Sequence, residues 1–377
     1  MKYLLTPLLM LVLVGLLAIG SEAQRYKALD LGVVGAAGDA QGINDASDVV
    51  GGYCVDSGCN TIHPFLWTPA QGFQDLGTLP NGGSYGFANG LNDLLQVVGE
   101  SAFSQPFMGN THAFLWTSMQ GMQDLGTLGC PDITGASAIN AGGQGVGTST
   151  IAPCPGGGSS RAFLWTAAAG MQNLGTLTDG TFSVGEAVND VGLAAGFADC
   201  GGCAGHHAFV WTSGTMQDLG TLPGGTESTG RALNDFEVVV GDSDSAQSPE
   251  ITAFGWTQQD GMRDLGTLPG GVWSSAAAVN NCNEIVGSSD SAESAGHSFK
   301  RGRHGRPTGD GSHAFIWSER KGMRDLNTLI IPARSGWLLT DARAINSSGQ
   351  IAGVGTFNGQ RHAFLLIPTA HPHCKTR

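Results

Sequence analysis

The amino-acid sequence predicts an all-β protein, a seven-bladed β-propeller with four antiparallel strands in each blade. Three observations lead there. One unit recurs seven times, its marker asparagines lying 48, 48, 49, 45, 46 and 66 residues apart, and internal repetition on that scale is how propellers are written. Each unit holds four short apolar stretches separated by turn residues, and none sustains the 3.6-residue period of a helix. Finally, the piece missing from the last unit stands at the start of the first.

The chain opens with Lys2, an apolar run from Leu4 to Gly20, and Ser21-Glu22-Ala23. A basic start, an apolar segment and a small-x-small site make a secretory signal, so residues 1–23 are expected to be removed and the mature chain to begin at Gln24. The run is short for a membrane span, which needs roughly 20 residues, and no second long apolar stretch follows. The mature chain is therefore expected outside the membrane, secreted or periplasmic in a bacterium.

Three signatures then recur in fixed order. The first is an apolar residue, Asn, a turn, a small apolar pair and Gly, with Asn and Gly seven apart in every copy, as in Asn44 to Gly51 and Asn346 to Gly353. It reads as a tight hairpin whose turn carries Asn, Asp, Ser or Gly. The second, His-Ala-Phe-Leu-Trp, places Phe65, Phe114, Phe163, Phe209, Phe254, Phe315 and Phe364 in register and has high strand propensity. The third, Asp-Leu-Gly-Thr-Leu, starts at Asp75, Asp124, Asn173, Asp218, Asp264 and, in variant form, Asp325. No copy follows Phe364, whereas Leu29-Asp30-Leu31-Gly32 opens the mature chain. The strand Tyr26 to Leu31 is thus expected to complete the last blade and remove the open edges of the stack. Residues 24–377 are expected to form one propeller, with an insertion at 288–312 that carries Lys300, Arg301, Arg303 and Arg306.

These signatures resemble the HAF repeat of predicted bacterial extracellular proteins, with Arg161 and Thr252 departing from the leading His and Leu366 from the Trp. The resemblance implies export and a propeller-like repeat, and it brings no activity with it. The Gly-rich second strand and the later aromatic strand are more weakly similar to kelch repeats.

Composition narrows the function. There are 31 acidic and 18 basic residues, a net charge of -13, which excludes the basic face that nucleic acid requires. Eight cysteines in an exported chain point to disulfides. Cys54 with Cys59 and Cys200 with Cys203 would close local loops, Cys130 with Cys154 would close one within a repeat, and Cys282 and Cys374 have no local mate. Cys200-Gly-Gly-Cys203 followed by His206 and His207 also has the donor types and spacing of a tetrahedral zinc site. The disulfide is its expected use, and no metal or other cofactor is expected.

Antiparallel strands sort the loops by face. The connectors between blades and the loops between second and third strands share one face, and they vary in length. Function on a scaffold sits preferentially on such loops, so that face around the channel mouth is the expected site. Two registers on it stand out. Seven residues before the marker Asn lie Tyr85, Phe182, Glu227 and Trp273, with Trp337 close by, and three before it lie Asn89, Glu186, Arg231 and Arg343. Aromatic faces beside polar groups suit stacking on sugar rings, and the competing reading is packing between blades. The leading histidines are expected to be structural partners of backbone groups. Asp242-Ser243-Asp244 is the nearest approach to a calcium loop, too poor in carboxylates to be expected to bind.

The expected function is a secreted, non-catalytic binding or interaction module for an extracellular glycan or protein. The alternatives are a propeller enzyme acting on polysaccharide, a glycosidase or lyase, and a purely structural surface protein. A glycosidase needs two convergent carboxylates; Asp132, Asp179, Glu186 and Glu227 are scattered over several repeats.

Overall fold

A computed structural model describes residues 24–370, apart from 35–37, 81–82, 104–109, 131–132, 154–158, 293–298, 302–306, 310 and 334. Seven four-stranded antiparallel sheets are present, and no α-helix occurs among the described residues. Blades are numbered by their innermost strands: Asp39–Ile43, Gly86–Leu91, Thr134–Ile139, Ser183–Val188, Ser228–Leu233, Ser274–Val279 and Trp337–Ile345. Each innermost strand contacts the next in a closed cycle, and the seventh returns to the first. The sequence expectation of fold class holds in full.

Blade 7 consists of Trp337–Ile345, Ile351–Phe357, Gln360–Pro368 and the N-terminal Tyr26–Val34. Tyr26 stands opposite Pro368 and Asp30 opposite Phe364. The closing strand runs three residues beyond the expected Leu31, with an irregular register between Asp30 and Val34. Tyr26 is buried completely, and burial pushes its phenol far above the ordinary range.

The seven register phenylalanines are all fully buried. Each packs across a blade boundary; Phe114 and Trp116 of blade 2, for example, meet Val50, Leu66 and Leu76 of blade 1. Each face-to-face junction is therefore a small core of its own, and the described residues form seven such clusters rather than one centre.

The marker glycine has a direct cause. Every innermost strand carries a bulge, which in blade 1 falls between Ala40 and Gly42. Opposite it sits Gly51, where a Cβ would strike the Asp39 carbonyl and lie 2.9 Å from the Phe65 ring. The corresponding carbonyl stands over Gly99, Gly147, Gly196, Gly241, Gly287 and Gly353. One extra inner residue and one missing side chain are the two halves of a single fit.

Disulfides join Cys54 to Cys59 and Cys200 to Cys203. Cys130 and Cys282 are also disulfide-bonded; Cys154 and Cys374, like the expected signal segment, lie outside the described residues. In the insertion, Phe299–Arg301 pairs with Pro307–Gly309 as a small hairpin. Among the described residues no helix is long and apolar enough to cross a membrane.

Candidate functional site

The polar register of the sequence is the bulge register. Gln41, Asn89, Ser137, Glu186, Arg231, Ala277 and Arg343 are the extra residues of the seven inner strands. The residues flanking each bulge are alanine or glycine, which lets seven strands approach the axis; a Cβ on Gly185, for instance, would lie 2.7 Å from the Gly147 carbonyl. Two of the bulged side chains, Asn89 and Arg343, bond across to a neighbouring blade. Asn89 Nδ2 donates to the Ala136 carbonyl at 2.9 Å. Arg343 Nε donates to Asp341 at 2.7 Å and its Nη1 to Asp39 of blade 1 at 2.9 Å.

Arg231 is buried against Asp242, to which its Nε donates, and Ser275 Oγ of blade 6 donates to the same carboxylate oxygen at 2.6 Å. Burial opposes the Arg231 charge, yet Asp242, with Glu186 and Asp341 from blades 4 and 7, raises its pKa above the ordinary value. Asp39 behaves in the mirror sense: burial pushes it up, but Arg343 and Arg361 bring it net below the usual carboxylate range. Charged groups from four blades, joined by the Ser275 hydroxyl of blade 6, thus line this part of the ring. Glu186, Arg231 and Arg343, nominated separately from sequence, are all among them.

The aromatic register sits where connectors cross the neighbouring blade. Tyr85 bridges to Ile62, at the start of the third strand of blade 1, and its hydroxyl donates to Glu100 Oε1 at 2.6 Å. Burial pushes the Glu100 carboxyl up to about 7. Phe182 packs edge-on to Phe197 and tilted to His206. Trp337 lies against Phe357, His362 and Phe364. Trp273 is only 3% exposed, its backbone N–H donating to Asp290 Oδ1 at 2.9 Å. Glu227 is half-buried, its N–H donating to Asp244 at 2.8 Å. The aromatics do not gather into one platform: each joins the packing of its own connector.

Asp242 and Asp244 of the nearest calcium-like loop are engaged internally, Asp242 with Arg231 and Asp244 with Thr226 and Glu227. The leading histidines have a different partner from the one expected. His63, His112, His207 and His313 each place Nδ1 within 3.0 Å of the Asp that starts the third signature of the same blade, and His362 does so with Asp30. The partner is a carboxylate rather than the backbone, because the third strand begins beside the end of the fourth.

One feature escaped sequence reasoning. At the axis, on the hairpin-turn face, a cavity of about 290 Å³ is lined by all seven marker asparagines and the residues that follow them. Asn44 Nδ2 donates to the Asn92 carbonyl at 3.3 Å, Asn92 to Asn140 at 3.0 Å, and Asn140 to Asn189 at 2.9 Å. Asn189 continues to Asn234, Asn234 to Asn280, Asn280 to Asn346, and Asn346 back to Asn44. The circle is closed. Each Oδ1 meanwhile accepts from the N–H four residues on, as Asn140 does from Gln144 at 2.9 Å. A second, outer set of bonds runs from backbone N–H groups to the next blade's side chain, Asp45 to Asp93 and Asp190 to Asp235 among them. The sevenfold Asn was the available signal, but it is explained equally well by the hairpin turn alone.

No family model matches the chain, and no curated protein matches it. Among solved structures it is similar to an oligogalacturonate lyase in complex with manganese, at 10% identity over 93% of this chain and 97% of that one, with a TM-score of 0.50. It is also similar to a putative TolB from Agrobacterium tumefaciens, at 10% identity over 88% and 98% of the two chains, TM-score 0.46. A gluconolactonase from Xanthomonas campestris aligns at 10% identity over 91% and 90%, TM-score 0.44. The likeness is one of fold.

Proposed function

We propose that the protein is an exported, non-catalytic binding module that engages a glycan or another protein at its connector face and the channel beneath. The observation that carries this reading is where the ring departs from symmetry. The marker Asn, the Gly and the Phe are the same in all seven blades, whereas the bulge register holds Gln, Asn, Ser, Glu, Arg, Ala and Arg. A ring that only had to close would gain more from apolar packing than from burying Arg231 and Arg343 beside carboxylates, since buried ion pairs stabilise little or not at all relative to such packing. Side chains that differ at one register, on a rigid frame, are what selective recognition uses. The signal-like segment 1–23, the disulfides and the resemblance to HAF-repeat proteins support export.

One observation favours a catalytic alternative on polysaccharide. Glu100, with its carboxyl near neutrality and Tyr85 against it, has the properties of a general acid or base. A glycan array probed with the mature chain and with Glu186→Ala and Trp337→Ala separates the readings. Binding by the parent that falls tenfold or more in either variant is the expected result. No retained glycan or exported protein, or retention unchanged in both variants, would overturn the module. Shortened glycan in the supernatant, abolished by Glu100→Gln, would establish the enzyme.

A further inference from the structure

Blade 4 holds a side-chain cluster that none of the other blades repeats among the described residues. His207 and Asp218 form the same pair as His63 with Asp75 or His313 with Asp325. Here, however, the loop before the third strand brings Cys200 and Cys203 to the pair. One donor atom from each of Cys200, Cys203, His207 and Asp218 lies within 4.8 Å of all the others. Cys203 Sγ is 3.5 Å from His207 Nδ1, which is 3.0 Å from Asp218 Oδ2.

The two measured separations are close to the edges of a metal tetrahedron. With Zn–S near 2.3 Å and Zn–N near 2.1 Å, a tetrahedral S···N edge is about 3.6 Å, and an N···O edge about 3.3 Å. The Cys-x-x-Cys spacing is the one zinc sites use, because a two-residue turn can aim both sulfurs at one point. Both Asp218 oxygens lie 3.0 Å from His207 Nδ1, and Oδ1 also accepts from the Gly220 N–H at 2.7 Å, which fixes the carboxylate beside the cluster, as outer-shell bonds do in metal sites. Two thiolates, an imidazole and a carboxylate select zinc over calcium or magnesium, which take oxygen ligands.

The two sulfurs are joined in the structure, so the site exists only after reduction. We propose that reduction of the Cys200–Cys203 disulfide converts this corner of blade 4 into a site for one zinc ion, held by the two thiolates, the His207 imidazole and the Asp218 carboxylate. A dithiol reductant supplies two electrons and two protons, becoming a disulfide itself while both cysteines become thiols. Zinc then displaces the two thiol protons, and the sulfurs move apart to about 3.8 Å, the tetrahedral S···S edge. Oxidised, the bond staples the Gly201-Gly202 turn; reduced, the ion takes over that staple.

The test is zinc and cobalt titration of the mature chain before and after reduction with a phosphine. The expected result is one tightly held zinc per reduced chain, a cobalt complex with thiolate charge-transfer absorption and intense tetrahedral bands, and no tight binding before reduction. Cys200→Ser/Cys203→Ser should remove the site, and Asp218→Asn should weaken it tenfold or more. His313→Ala, which breaks the equivalent pair in blade 6, should leave zinc binding unchanged. Thermal melts of each variant establish that it is folded. Equal zinc uptake by the reduced parent and the double serine variant, equal uptake before and after reduction, or unfolding of the reduced chain would each overturn the proposal.

Discussion

Asp124 makes two bonds at once: Oδ2 meets His112 Nδ1 at 2.7 Å, and Oδ1 accepts from the Gly126 N–H at 2.8 Å. The His of one signature and the Asp-Leu-Gly of another are thus two ends of one latch. Both signatures were plain in the sequence, but their connection was not, because nothing in the spacing says that the start of the third strand meets the end of the fourth. Blade 3 has Arg161 and Asn173 at these two places: Asn173 still caps Gly175, and Arg161 turns to the Thr181 carbonyl. Asp124→Ala should therefore cost about 1–3 kcal/mol by leaving His112 and a turn N–H without this partner, seen as a lowered denaturant midpoint at unchanged slope. Glu100 predicts a pH effect of definite sign. Its carboxyl is raised from 4.5 to about 7, so the folded state holds the proton more tightly than the unfolded chain. Stability is then lost as pH climbs from about 4.5 to about 7 and is flat above that. In denaturant melts, Glu100→Gln should gain on the parent by up to about 3 kcal/mol between pH 5 and pH 8; an equal difference at both would contradict the assignment.

At the scale of the strand, the inner bulge organises three sequence features that looked independent. It requires glycine on the second strand, small residues beside the axis, and one side chain per blade of free identity. Gly99→Ala should be costly for that reason, since the new methyl would meet the Phe87 carbonyl and stand 2.8 Å from the Phe114 ring. Phe114→Ala empties the opposite side of the same fit and should cost about 3–5 kcal/mol as a fully buried deletion. A loss under 1 kcal/mol would show that the phenylalanine register does not carry the blade junctions. The turn element has its own test. Asn189 donates to the Asn234 carbonyl in a buried bond and accepts from the Leu193 N–H in a partly buried one. Asn189→Ala should destabilise by about 1–3 kcal/mol, because a buried carbonyl and a partly buried N–H lose their partners together. Sequence reading found the strand and its turn but not the bulge, since an extra residue in a four-stranded unit leaves the alternation pattern only one place out of step.

At the scale of the molecule, a ring of separate small cores depends on closure. Each blade is held by two neighbours, and blade 7 is complete only when Tyr26–Val34 lies on Gln360–Pro368. The latch there joins the chain ends as well, with His362 from one and Asp30 from the other. Removing residues 24–34 should expose the edge of the Gln360–Pro368 strand, lower the melting temperature and yield aggregates by light scattering; an unchanged melt would contradict closure by this strand. The circle of seven asparagine bonds and the charged bulge network both run through all or most of the blades, so either should loosen when the ring opens.

The sequence by itself determined the number of blades, the strands within each, the closing strand and two of the disulfides, because these follow from short-range patterns repeated seven times. Only the tertiary structure decided which residues meet. It joined the histidines to their aspartates, turned six scattered polar residues and Ala277 into one bulge register, enclosed Trp273, and closed the asparagines into a circle. The physical reason is that strand propensity and turn chemistry act over a few residues. A contact between blades depends instead on the curvature of the whole ring, which no single repeat encodes.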